Sequence, residues 1–407
     1  MVAVATATGT QARRVSAVLR EGERVMPLEL FFDLVFVLAL TQCTALMSDH
    51  PTWDGLAQGL LVLGVLWWSW VGYAWLTSVV DPEEGAVRIV IFVAMAALLI
   101  VALCVPEAFD ALALEFALAY GVVRAAHIAL FVLASRDDPA LRQSVTGLAI
   151  STAIGVGLLA GASFLDGVAQ GSMWALALLL DMGGPYLFGA EGWKLAPGHF
   201  AERHGLIIII ALGESIVAIG IGAEAGLTAG VAAAAVLGIA LAAALWWIYF
   251  DVVALVAARR LARATEGRER NEMARDSYSY LHFLMVAGIV LVALGLKKTI
   301  GDVGDPLKLV PAFALLGGLA FYLLGHVAFR YRHVHTVNRQ RLGLAVVLFA
   351  LVPAAVELPP LAILALVNVL IWAMIVYETI SYGEGRARLR HELAAERPST
   401  EPSPASG

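Results

Sequence analysis

Along most of this chain the apolar residues do not alternate with polar ones. They run on continuously for stretches of about 20 residues and then break, and a run of that length is what an α-helix needs to cross ~30 Å of hydrocarbon at ~1.5 Å per residue. Twelve such runs stand near 28–47, 55–78, 86–105, 111–133, 143–164, 171–190, 204–222, 227–256, 277–297, 307–329, 341–357 and 360–382. A membrane β-barrel is excluded, because its strands alternate over only about ten residues. The breaks carry turn chemistry at Asp49-His50-Pro51, Asp81-Pro82, Val105-Pro106, Asp137-Asp138-Pro139, Asp305-Pro306 and Pro359-Pro360. The pattern predicts an all-α polytopic membrane helix bundle of about 12 transmembrane helices.

Composition agrees with the pattern. Of 407 residues 60% are hydrophobic and 15% charged, with a mean hydropathy of +0.82, whereas soluble domains are roughly a quarter charged. A net charge of -6 offers no surface for nucleic acid. Cys43 and Cys104 both lie inside apolar runs, so there is no disulfide framework and no CxxC pair. His333 and His335 sit in a basic loop, no HExxH string occurs, and neither a metal nor a cofactor is expected.

Basic residues segregate between alternate loops. Twenty-three of the 27 fall on one side, Lys297, Lys298 and Lys308 on the other, and Arg124 within a run. The positive-inside rule then places both termini in the cytoplasm of a multi-pass plasma-membrane protein. The first 27 residues hold four arginines and no apolar core, so they are not expected to be a cleaved signal peptide. The expected layout is a cytoplasmic segment 1–27, a first six-helix repeat 28–190, a cytoplasmic loop 191–203, a second repeat 204–382 with a charged helical connector 257–276, and a disordered tail 383–407.

The two halves share a weak repeat. Ala39-Leu40-Thr41-Gln42 resembles Ala211-Leu212-Gly213-Glu214, and Trp67-Trp68 recurs as Trp246-Trp247. His127-Ile128-Ala129 pairs with His326-Val327-Ala328, and Arg142-Gln143 with Arg339-Gln340. Six spans per half is an even number, so the repeats are expected to run parallel, with a site at their interface.

The string Glu29-Leu30-Phe31-Phe32-Asp33-Leu34-Val35-Phe36-Val37 resembles the opening signature of the bacterial low temperature requirement protein A family, LtrA. Glu202-Arg203-His204-Gly205-Leu206, running into Ala211-Leu212-Gly213-Glu214-Ser215-Ile216, is similar to that family's other hallmark. The resemblance covers about 25–382 and implies a polytopic layout and a cold-growth phenotype, without implying a biochemical mechanism.

Ionisable groups inside the runs are functional candidates, because each is costly in lipid unless paired or hydrated. Glu29 and Asp33 lie one turn apart on one face of the first helix, where a structural capping or pairing role near the helix N-terminus is equally open for Glu29. Arg124, at comparable depth, is the expected partner of Asp33, as a structural clamp or a gating pair. Glu214 stands near the middle of its run and reads as a buried functional carboxylate. His127 and His326, at equivalent positions of the two halves, are relay candidates, with interfacial hydrogen bonding as the plainer role. Asp181 precedes Gly183-Gly184-Pro185, a string expected to break its helix or to kink it against a neighbour. Trp67, Trp68, Trp70, Trp246 and Trp247 read as interface anchors, or as cation-binding aromatics.

The first functional expectation is a secondary transporter of a small solute or ion, with proton coupling as an option and Asp33, Arg124, Asp181 and Glu214 around an inter-repeat cavity. An ion channel or conductance regulator is the second. A lipid-modifying membrane enzyme is the third, and it lacks a recognisable nucleophile with its base. The expected partners are the lipid bilayer and an unidentified small solute or ion, with a homodimer also open.

Overall fold

The computed structural model describes residues 24–83, 85–187, 192–224 and 226–383. These hold fourteen α-helices: α1 (Pro27–Asp49), α2 (Trp53–Thr77), α3 (Gly85–Cys104), α4 (Ala113–Ala134), α5 (Pro139–Ala162), α6 (Gly167–Leu187), α7 (Pro197–Gly222), α8 (Ala229–Phe250), α9 (Val253–Arg263), α10 (Arg268–Met273), α11 (His282–Gly301), α12 (Leu309–Val334), α13 (Arg339–Ala355) and α14 (Pro360–Ser381). Ala274–Leu281, leading into α11, is wound as a π-helix. The expected N-terminal segment and tail lie almost wholly outside the described residues.

Ten helical rods among the described residues are long and apolar enough to cross a membrane, with Ala229–Arg263 and Arg268–Gly301 counted as one each. The other two apolar runs are helical too. The 17 residues of α13 extend only about 25 Å, less than a hydrocarbon core. α6 is long enough, but Gln170, Asp181 and Pro185 dilute its apolar character. Within 257–276 the chain runs through the end of α9, a non-helical turn at 264–267, α10 and the start of the π-helix.

Turn chemistry acts where the sequence placed it. Asp138 caps α5 by accepting from the Leu141 amide, with Pro139 at the first helical position. The break expected at Gly183-Gly184-Pro185 does not occur, because α6 continues through Pro185 to Leu187. The proline stands near the described end of the helix, where it removes only the amide that would reach back to Asp181. Gly184 instead permits close packing: a Cβ there would come 2.7 Å from the Ser151 hydroxyl of α5. The loop expected at 191–203 is also shorter than predicted, since α7 starts at Pro197.

Contacts divide the chain into two compact units. The first joins α3 to α6 with α1 as far as Gln42, α2 from Leu61, α7 as far as Arg203, and residues 265–272. Within it α3 packs on α4, α4 on α5 and α5 on α6. Its core is aromatic, with Trp174 stacked on Phe109 and tilted against Phe116. The second unit takes residues 43–60, α7 from His204, α8, α9, and the chain from Met273. Here α11 is buried along almost its whole length against α12. Gly288 and Gly318 bring those two backbones together, and a Cβ on Gly288 would sit 2.6 Å from the Gly318 carbonyl oxygen.

Candidate functional site

In the first unit, α1 buries Glu29 and Asp33 one turn apart. The opening turns of α7 present His199 and Arg203 at the same spacing, both without measurable exposure. The two pairs interlock. Glu29 Oε1 lies 2.7 Å from His199 Nε2 and accepts from Arg203 Nη1 at 3.0 Å, while its Oε2 accepts from the Met26 amide at 2.8 Å. Asp33 Oδ1 accepts from Arg203 Nη2 at 2.6 Å and from the Trp70 indole at 2.9 Å. Arg203 also donates to Thr77 Oγ1 at 3.1 Å and stands 5.5 Å from the centre of the Trp70 ring. Asp33 Oδ2 is buried with no hydrogen-bond partner among the described residues. Beside this group is a void with room for about one water molecule, lined by Glu29, Thr77 and Arg203 together with Phe32, Tyr73 and Ile91.

A second buried cluster in this unit ties four helices together. Arg124 of α4 donates to Asp181 of α6 at 3.0 Å and to Thr152 of α5 at 2.6 Å. Thr152 and Tyr120 both donate to Asp181, and Arg124 Nη1 reaches the Trp68 carbonyl of α2 at 3.4 Å. The pairing expected between Asp33 and Arg124 is therefore not formed. Each charge has a different partner, Arg203 for the aspartate and Asp181 for the arginine. His127 is buried beside Gly72, where a Cβ would meet its ring at 2.8 Å, and it packs on Tyr73 and Phe131.

The second unit buries its polar groups in another way. Glu214 and Ser215 of α7 are enclosed there. Tyr249 of α8 meets His282 Nε2 at 2.9 Å, and His282 Nδ1 meets the Ser277 carbonyl of the π-helix at 3.0 Å. His326 packs on Tyr322 and Tyr249, and neither of its ring nitrogens has a hydrogen-bond partner among the described residues. An ion pair is enclosed here: Arg341 of α13 grips Glu378 of α14 with two bonds, at 3.0 and 2.8 Å, and Asn338 adds a third at 2.7 Å. The tryptophans divide as well. Trp67, Trp68 and Trp70 are buried rather than interfacial, whereas Trp246 and Trp247 are exposed.

A family model described as bacterial low temperature requirement A protein (LtrA) matches residues 24–376, and this stretch includes every side chain of the Glu29, Asp33, His199 and Arg203 group. The chain belongs to the LtrA family. It is 30% identical over 376 residues, 87% of this chain and 88% of the other, to an uncharacterized protein of Rhizobium meliloti (strain 1021). No solved structure matches it. It is a multi-pass membrane protein of that family, with both resemblance strings inside the matched region.

In this LtrA chain, His199, Ser78, Thr152 and the Arg341–Glu378 pair are not expected from the sequence, and Arg203 counts there as a loop cation, whereas Trp70, an expected interface anchor or cation-binding aromatic, has its ring centre 5.5 Å from the Arg203 guanidinium. A signal for the first cluster was present: Glu29 with Asp33 and His199 with Arg203 are both pairs four residues apart, which is how two helices match side chain to side chain.

Proposed function

We propose that this LtrA family member is a secondary transporter of a small solute or ion in the plasma membrane, with both termini cytoplasmic and its coupling site in the Glu29, Asp33, His199 and Arg203 group. The observation that carries this reading is the convergence of the group: two buried carboxylates meet a single guanidinium and an imidazole that can take up or give back a proton. Buried charges are costly in low dielectric, so a change of protonation among them is coupled to what the site holds. The adjoining void is too small for a solute, as suits an occluded state of an alternating-access protein. The segregation of basic residues supports the orientation, and the matched strings of the two halves support two parallel six-helix repeats. Arg124 with Asp181 braces the first unit, while Glu214, His127 and His326 are the remaining relay candidates.

The enzyme reading gains a hydrogen-bonded Ser78, His199 and Glu29, but Ser78 follows the C-terminal end of α2, where carbonyls rather than amides gather and no oxyanion hole forms. Purified protein in proteoliposomes containing a pH-sensitive dye tests transport, with amino acids, sugars and alkali cations supplied under imposed pH and potential gradients. Saturable, gradient-driven uptake of one of them is expected. Steady single-channel current in planar bilayers would establish a channel instead.

A further inference from the structure

The hydrogen bonds around His199 determine which cation the proposed coupling site takes. Ser78 Oγ lies 3.1 Å from His199 Nδ1 and 3.1 Å from the Ala74 carbonyl oxygen one turn back on α2. That carbonyl can only accept, so the Ser78 hydrogen points to it, and Oγ is left to accept from Nδ1. On the opposite edge of the ring, Nε2 lies 2.7 Å from Glu29 Oε1, which also accepts. With acceptors at both ring nitrogens, the imidazole carries two hydrogens.

We infer that the coupling ion is a proton carried on His199 Nδ1, and that Ser78 is the positioning hydroxyl that alternates between two partners as the proton comes and goes. This rests on the transporter reading above and names its ion. In the loaded state Nδ1–H donates to Ser78, and Ser78 donates to the Ala74 carbonyl. On release the proton leaves Nδ1 for water. The Ser78 hydroxyl then rotates to donate to the bare nitrogen, while Nε2–H stays on Glu29. No heavy atom has to move and no bond to carbon changes. A metal ion fits the site less well, because three of the four carboxylate oxygens are already engaged and the neighbouring void has room for about one water, whereas alkali and alkaline-earth ions need about six oxygens.

Among the described residues, groups on three elements face this titration. Glu29 and Asp33 face the site from α1, Tyr73 and Thr77 from α2, and Arg203 from α7 itself. At the margin, Glu83 binds the Leu28 amide and Glu202 the Val25 amide.

The test is nitrogen NMR of the full chain in detergent with ¹⁵N-labelled histidine side chains, His199 being assigned by the signal missing from His199→Gln. Both nitrogens should show the imidazolium signature near neutral pH and should convert together, on raising the pH, to a tautomer protonated only at Nε2. Ser78→Ala takes the acceptor from Nδ1–H and should move that midpoint to lower pH by about one unit, a tenfold loss of proton affinity. Ser78→Thr keeps a hydroxyl and should restore it, which separates positioning from a general defect of folding. A neutral His199 throughout pH 5–8, or an unchanged midpoint in well-folded Ser78→Ala, overturns the inference. Titration as expected without gradient-driven uptake of any solute overturns the transporter reading and leaves the proton site standing. Uptake with a non-titrating His199 does the reverse.

Discussion

Glu378 in the second unit and Asp33 in the first are both buried acids held by an arginine, yet they stand in opposite electrostatic situations. Among the described residues Arg341 gives Glu378 two bonds in the geometry of a clamp. Arg203 divides itself between Asp33 and Glu29, with the His199 imidazole against Glu29 and, among the described residues, no hydrogen-bond partner at Asp33 Oδ2. Elsewhere in the second unit the enclosed imidazole of His282 is met by a phenol and a carbonyl, which need no charge change. Burial of a charge alone is therefore a weak marker of a working site, and the proposed coupling site is set apart by one guanidinium shared between two acids beside a titratable ring.

The largest expected effect is at Arg203. Arg203→Gln strands two buried carboxylates, so it should cost more than Arg341→Gln, which strands one, and the single loss is already about 3–5 kcal/mol. Thermal unfolding in detergent of both variants makes the comparison, and equal losses would remove the distinction drawn between the two arginines.

Next come the charges that turned out to have other partners. Arg124→Gln and Asp181→Asn should each destabilise strongly, and the double variant should lose less than their sum, by roughly 1–3 kcal/mol of coupling. Arg124→Gln combined with Asp33→Asn should be additive within about 0.5 kcal/mol, because the two share no bond. Coupling in the second pair of variants and none in the first would contradict the arrangement.

These partners show how far the sequence could be read. The continuous apolar runs became helices because lipid leaves a spanning backbone no alternative to bonding within itself. Short helices such as α13, and polar ones such as α6, sit at the margin of what length and hydropathy can recognise. Asp33 was legible as a buried acid, but its partner was not. The stretch Pro197 to His204 is polar enough to read as a loop, and only its fold as the first turns of α7 places His199 and Arg203 inward. Arg124 was likewise recognised as buried and assigned to the wrong acid, since depth along a helix says nothing about which neighbour it faces. The glycines before Pro185 allow either a broken helix or a close approach between helices on the sequence alone, and only the packing of Gly184 against Ser151 selects the approach.

Glu214→Gln should leave the elution profile and membrane insertion of the protein unchanged while lowering gradient-driven uptake. Wild-type uptake at a wild-type pH profile would assign that carboxylate to packing. The smallest effect is expected at Asp138, the half-buried cap of α5. Its carboxyl is held below the ordinary range mainly by the Leu141 amide, with Lys194 adding to this. A lowered carboxyl stabilises the fold above its unfolded value and loses that contribution as the pH falls through the folded one, so the benefit is present at neutrality and fades only in acid. Asp138→Ala should cost about 1 kcal/mol at pH 7 and less at pH 3, read from unfolding midpoints at the two pH values.

The most direct measurement of the uneven cluster is proton uptake by reconstituted protein after a pH jump, followed with a dye inside the vesicles, in wild type and in His199→Gln of matched elution and insertion. Wild type should take up protons saturably with a midpoint near neutrality, and His199→Gln should lose that component. A His199→Gln protein that takes up protons with the wild-type amplitude and midpoint would contradict the assignment of the Glu29, Asp33, His199 and Arg203 group as the coupling site.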